Sequence, residues 1–257
     1  MALSEHSATE RFSGRGDDYG KFRPGYPSEL IPVLFEGLSR IGKPIAVDVG
    51  AGTGISSAFL AKHGMRVIAI EPNDEMRDRG LQSAIPGVEF KKGTAENTGL
   101  RGTSAELVTA FQAFHWFNHL AALEEFHRIA RPSGRVALVW NVRSKGDKFT
   151  QAYTDVVDRY ADPSVAKELQ SKEDSGKILF ESPFFCSARR VLVPSYQRLN
   201  FEGLLGRLRS VSYLPRTGPV YEQIASEMKA LFEKFARCGE IWIVYDTILV
   251  KAERRPD

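Results

Sequence analysis

IAVDVGAGTGI, residues 45–55, passes from a β-branched run directly into Gly50, Gly52 and Gly54 and then into helix-compatible sequence. A short continuous apolar run bounded by glycines reads as a buried strand. The glycines let the backbone turn sharply and let a ligand touch the main chain with no Cβ in the way. Dinucleotide-binding turns use GxGxxG, whose third glycine would fall where this chain has Ile55, so the spacing here is GxGxG. A tight strand-to-helix turn without a ligand also uses glycine, and the loop needs a second sign. Glu71 supplies it, closing the next run, RVIAIE, where a carboxylate can accept hydrogen bonds from both hydroxyls of a ribose. Capping the following helix is the other role open to Glu71, although Pro72, Asn73 and Asp74 suit that role unaided.

Outward from the loop, residues 45 to 141 repeat one rhythm of a β-branched run, a turn with Gly, Asn or Pro, and an amphipathic helix. The runs are IAVDV, RVIAIE, VEFKK, ELVTAFQA and RVALVW. Ile55, Ala58 and Phe59 share one helix face, and Gly64 stands where that helix would end. Asn118 suits the cap of a helix carrying Leu123, Phe126 and Ile129, and RPSG turns the chain into the fifth strand. Later come a helical stretch near TQAYTDVVDRYA, a polar KEDSG, a strand-like ARRVLVPSYQRL, a long helix through Ile224, Met228, Leu231 and Phe235, and the apolar run IWIVYDTILV.

At 257 residues and 42% hydrophobic content the chain fits one elaborated domain. A net charge of +3, with Lys and Arg dispersed, argues against nucleic acid as a partner. Cys186 and Cys238 stand far apart, with neither disulfide nor zinc spacing. Neither a signal peptide nor a membrane span is evident, so the expectation is a cytoplasmic protein without metal or membrane partner.

With these motifs together the chain resembles the class I S-adenosylmethionine-dependent methyltransferases, in particular the type 11 group. VDVGAGTG is similar to the family's first motif, IEPNDEM to its second and GTAENTGL to its adenine loop; LVTAFQAFHW and IARPSGRVALVW resemble its fourth and later strands. DDYGKFRPGYP, QAFHWF and SVSYLP are similar to a subgroup that includes trans-aconitate methyltransferase-like proteins. The resemblance implies an α/β fold with a doubly wound, mostly parallel seven-stranded sheet, Rossmann-like, an antiparallel last strand and an insertion before it. It implies one domain over 1–257: a lid segment at 1–40, a cofactor-binding core at 41–142, an acceptor-side insertion at 143–216, and a helix and strand at 217–257 that complete the sheet.

The same resemblance implies S-adenosyl-L-methionine as cofactor. Asp48, Gly50, Ala51 and Gly52 would line its methionine side, Glu71 would hold the ribose and Asn73 would lie beside the adenosine. Many members carry an acid after the glycine of the adenine loop; this chain has Thr94 there, which leaves Ala95 to offer backbone groups and Glu96 as the nearest carboxylate. Gln112 would reach the methionine amino group, and Tyr19 and Arg23 would belong to a lid.

Methyl transfer from a sulfonium is an in-line displacement, so alignment and exclusion of water matter most. A carboxylate acceptor needs no base at neutral pH, while a hydroxyl or amine acceptor uses one, and His115 is the candidate. Membership of an aromatic cluster with Phe114 and Trp116 is the other reading of His115. Trp116 and, in the polar stretch GRLRSVSYLP, Arg207, Ser212 and Tyr213 are the expected acceptor residues, with Arg209 and Ser210 beside them. The expected function is methyl transfer to a small molecule, with a carboxylate slightly favoured. A non-catalytic S-adenosylmethionine-binding protein, an NAD-dependent oxidoreductase and an RNA or protein methyltransferase are the rivals.

Overall fold

The computed structural model describes residues 22–38, 42–161, 176–211 and 213–256. Its strands are β1 (Ile45–Val49), β2 (Arg66–Ile70), β3 (Val88–Lys91), β4 (Ala105–Phe111), β5 (Ala130–Arg143), β6 (Phe185–Leu199) and β7 (Ile241–Arg254), in one sheet of order β3-β2-β1-β4-β5-β7-β6. The helices are α1 (Leu30–Phe35), α2 (Ile55–Lys62), α3 (Asp74–Gln82), α4 (His119–Ile129), α5 (Lys148–Arg159), α6 (Phe201–Arg209) and α7 (Pro219–Phe235). β1 to β5 pair in parallel, β7 runs antiparallel to β5, and β6 pairs antiparallel to β7.

Both faces of the sheet are covered over β1, β2, β4 and β5, which is why these strands read as continuous apolar runs, whereas the edge strand β6 alternates buried and exposed residues. On one face Val47, Val49, Val108 and Ala110 meet Ala122, Leu123, Phe126 and Ile129 of α4. On the other, Ala46, Val67, Leu107, Phe111 and Val139 meet Leu30 and Leu34 of α1 and Leu60 of α2. A further core joins α5, α6 and α7 to the first half of β7 through Tyr153, Val157, Leu204, Leu208, Ile224, Met228, Ile243 and Tyr245. Because Arg143 at the end of β5 pairs with Tyr245, this core lies beside the carboxyl end of β5, where open α/β sheets bind ligands.

Two local expectations take a different form. RPSG, 131–134, is bulged out of β5, whose pairing with β4 steps from Ala105↔Ala130 to Leu107↔Arg135. Asn118 precedes α4 without capping it through its side chain; its own backbone N–H is held by Glu96 Oε1 at 2.8 Å instead. The stretch from 143 to 216 also contributes to the sheet itself, as the edge strand β6. No helix among the described residues is long and apolar enough to cross a membrane.

Candidate active site

The loop after β1 is pinned to the end of β2: the N–H groups of Gly50 and Ala51 donate to the Ile70 carbonyl at 2.8 and 3.1 Å. Gly50 has φ +71°, and a Cβ there would stand 2.6 Å from Ala113 Cβ, so this glycine packs the loop against the chain leaving β4. Gly52, at φ +58°, would bring a Cβ no nearer than 3.4 Å to Met76 Cε, and it faces the cavity. Its N–H donates to Glu71 Oε2 at 2.7 Å, while Glu71 Oε1 accepts the Asn73 N–H at 2.9 Å. Burial pushes the Glu71 carboxyl above the usual range, and these two N–H donors pull against that. An ionised carboxylate offers about four lone-pair sites, so acceptor capacity remains for a diol beside Gly52.

A cavity of about 490 Å³ opens at the carboxyl ends of β1, β4 and β5. Of the residues expected to form the site, Arg23, Gly50, Ala51, Gly52, Gln112, His115, Trp116, Arg207 and Tyr213 line it. Gln112 follows β4 in the left-handed region at φ +56°, held by its N–H to the Val139 carbonyl at 2.8 Å and by Nε2 to the Asn141 carbonyl at 3.3 Å. A non-glycine residue there costs about 1–3 kcal/mol, a strain that recurs at functional sites. His115 lies on the 3₁₀ turn Phe114–Trp116, its ring 4.9 Å from that of Trp116. His119 stacks on Phe114 at 4.7 Å, and burial lowers its pKa.

Other expected residues are placed elsewhere. Asp48 is fully buried behind the loop, where Oδ2 accepts from the Ser56 and Ser57 hydroxyls at 2.7 Å each and Oδ1 accepts from Thr109 Oγ1 at 3.0 Å. It fastens α2 and β4 to β1 and does not line the cavity. Asn73 caps α3, its side chain accepting the Met76 N–H at 2.9 Å. Thr94 closes a turn with Asn97, Ala95 is buried in the core, and Glu96 holds the start of α4. None of these four, nor Glu71, lines the cavity, which they flank on the β2 and β3 side. Arg209 turns to the Tyr221 hydroxyl at 3.2 Å on α7. Tyr19 and Ser212 lie outside the described residues.

The cavity also recruits side chains that sequence patterns did not single out. Arg143, Asp158 and Tyr245 line it, while Tyr26, from the aromatic and basic segment at the start of the chain, packs edge-on to Phe111 at 4.6 Å. Thr53, in the loop itself, presents a buried hydroxyl with no hydrogen-bond partner among the described residues. An unmet donor, a glycine whose missing side chain keeps the wall open, and a buried carboxylate alongside suit a ligand with a ribose and an amino-acid end. Glu71→Ala is therefore expected to weaken S-adenosylhomocysteine binding by about 1–3 kcal/mol. Calorimetry on the folded variant checks this, and unchanged affinity removes Glu71 from the site.

Comparison with known proteins agrees with this geometry. Residues 47–138 match the family described as Methyltransferase domain. An uncharacterized methyltransferase from Mycobacterium tuberculosis is 34% identical over 163 residues, 63% of this chain and 65% of that protein, so the match spans less than two thirds of the relative's length. An uncharacterized methyltransferase-like protein from Schizosaccharomyces pombe is 26% identical over 99% of both chains. The solved structure of a candidate type II methyltransferase from Anaeromyxobacter dehalogenans superposes with a TM-score of 0.63 at 27% identity, covering 91% of this chain and 97% of that one. Residues 47–138 therefore carry a methyltransferase domain, and the β3-β2-β1-β4-β5-β7-β6 sheet with its glycine loop is the fold this chain shares with the methyltransferases it is similar to.

Proposed function

We propose that this protein transfers the methyl group of S-adenosylmethionine to a small acceptor bound at the Arg207 end of the cavity, and that the acceptor carries a carboxylate or similar acid. The observation that carries the reading is that the glycine loop and a buried arginine open into one cavity of about 490 Å³, room for a cofactor's reactive end and a small molecule together. When bound, S-adenosylmethionine supplies an electrophilic methyl carbon. Gly50, Ala51 and Gly52 cradle that ligand with main chain, Glu71 accepts from its ribose hydroxyls, and Gln112 and Thr53 meet its polar amino-acid end. Trp116 and Tyr213 wall the acceptor side and keep water out, which matters because the reaction rests on alignment. Arg207 anchors the acceptor. A carboxylate nucleophile leaves His115 as a wall residue, whereas a hydroxyl or amine acceptor makes it the proton acceptor.

Arg23, which lines the cavity and donates through Nη2 to the Ser210 carbonyl at 2.8 Å, begins the cover over the site with Tyr26. Cys186 and Cys238 are free thiols, in keeping with a reduced cytoplasmic setting. The test is a screen of small carboxylic acids, hydroxylated aromatics and amines that follows release of S-adenosylhomocysteine. Arg207→Ala is expected to raise the KM of the acceptor found at least tenfold, about 1.4 kcal/mol, while S-adenosylhomocysteine affinity stays within about twofold. Turnover confined to tRNA or protein substrates overturns the small-molecule reading.

A further inference from the structure

Arg207 carries a full positive charge into the inner wall of the cavity, where its side chain is buried, and a guanidinium does not escape by losing its proton. Its hydrogen-bond partners among the described residues are both neutral: Nε donates to the Tyr245 hydroxyl at 3.3 Å and Nη1 to Ser210 Oγ at 3.1 Å. The one acidic side chain lining the cavity among the described residues, Asp158, is turned to Arg143 at 3.4 Å. A buried charge without a counter-ion costs several kcal/mol, and folds keep one where a ligand supplies the opposite charge. A second unmet group lies alongside. The Tyr153 hydroxyl is fully buried with no hydrogen-bond partner among the described residues, within electrostatic reach of both Arg207 and Arg143.

The groups that hold Arg207 are arranged so that none of them neutralises it. The Phe22 carbonyl can only accept, so the Gln197 amide points Nε2 at it, 2.8 Å away, and turns Oε1 toward Tyr245. Tyr245 donates its single proton to that oxygen at 3.2 Å, which leaves a lone pair for Arg207 Nε–H. Ser210 is fixed in the same sense, donating to the Arg207 carbonyl at 2.7 Å and accepting from Nη1. The direction of each hydrogen bond in the chain from Phe22 to Arg207 is thereby assigned. A glutamate at 197 would accept from Tyr245 equally well and would also bring a negative charge; the glutamine keeps the hydrogen bond and withholds the charge.

We propose that the Nη1–Nη2 edge of Arg207 is an oxyanion subsite, for a carboxylate or phosphate group of the acceptor, and that Tyr245 and Gln197 are positioning residues that aim it without offsetting its charge. The assignment rests on the cavity's being the acceptor chamber of a methyltransferase, and the test separates the two. Succinate and inorganic phosphate are titrated calorimetrically into the full chain, with and without saturating S-adenosylhomocysteine. The wild-type protein binds at least one probe, and which one names the anion. Gln197→Glu weakens that probe at least tenfold, with S-adenosylhomocysteine affinity within twofold, because the acceptor for Tyr245 is kept while a negative charge is added; the donor to the Phe22 carbonyl is lost, and circular dichroism checks that the variant folds. Tyr245→Phe, which keeps the ring and removes the Nε acceptor, weakens the probe as well and covers the case of a poorly folding glutamate variant. A merely structural Gln197 predicts probe affinity unchanged or improved in Gln197→Glu, and that result overturns the proposal. So does a wild-type protein that binds S-adenosylhomocysteine and neither probe. A protein that binds a probe but not S-adenosylhomocysteine keeps the anion subsite and overturns the methyltransferase reading.

Discussion

Gly52→Val is expected to reduce S-adenosylhomocysteine affinity at least about a hundredfold, some 2.7 kcal/mol, while leaving a folded protein. Two effects combine at this residue. Its backbone sits at φ +58°, where a β-branched residue is strained by about 1–3 kcal/mol. The added methyl groups would also project from a Cβ already 3.4 Å from Met76 Cε, into the wall that the ligand must touch. Relief of the strain by a change of backbone would withdraw the N–H that Glu71 Oε2 accepts at 2.7 Å, so neither route restores the site. Calorimetry with S-adenosylhomocysteine, beside circular dichroism, is the measurement. Affinity within a few-fold of wild type means that the loop does not bind the cofactor through its main chain. Gly52→Ala, whose Cβ makes only ordinary contact, should lose less.

Asp48→Ala is expected to cost about 3–5 kcal/mol of stability, because the buried Ser56 and Ser57 hydroxyls lose their acceptor and Thr109 is left with the longer bond to the Val47 carbonyl at 3.4 Å, each unmet group costing about 1–3 kcal/mol. Ser56 and Ser57 belong to the first turn of α2 and Thr109 to β4, so one carboxylate ties three elements, and its removal loosens the floor beneath the glycine loop. Urea denaturation reads the loss. Burial raises the Asp48 pKa against the pull of the three hydroxyls, so the folded state holds that proton more tightly than the unfolded chain does. The part of the wild-type advantage that comes from this shift is present at acid pH and is lost as pH rises from the ordinary carboxylate range through the raised value. A variant of wild-type stability that has lost cofactor affinity would place Asp48 in direct contact with the ligand and overturn the structural role.

Much of the fold was legible because parallel strands buried on both faces are written as contiguous apolar runs. IAVDV, RVIAIE and RVALVW all lie within observed strands or end one residue beyond them, and the glycine loop follows β1 directly. α7 was equally plain, from the apolar spacing of Ile224, Met228, Leu231 and Phe235. The bulge at RPSG was not legible, since a turn signal does not say whether the chain leaves the strand or makes an excursion within it. The edge position of β6 was not legible either: alternation in ARRVLVPSYQRL marks a half-exposed strand without naming its neighbour.

The sequence by itself determined the elements, the glycine loop and the acid one strand away, because each depends on residues close together in the chain or one crossover apart. Only the tertiary structure decided which of those residues face the ligand. In a sheet covered on both sides, both alternating positions are apolar or enclosed, so the pattern does not tell whether Asp48 looks into the cavity or into the core; the hydroxyls of Ser56, Ser57 and Thr109 settle that it is the core. The same holds for the acceptor end. Tyr245 stands 38 residues from Arg207, Gln197 48 residues from Tyr245, and Phe22 175 residues from Gln197. Hydrogen bonds between groups so far apart arise only when β6 and β7 pair and α6 folds back over them. The charge that Arg207 presents to the cavity is therefore a property of the packing, since an arginine in sequence does not reveal whether water, a carboxylate or a neutral tyrosine will stand beside it.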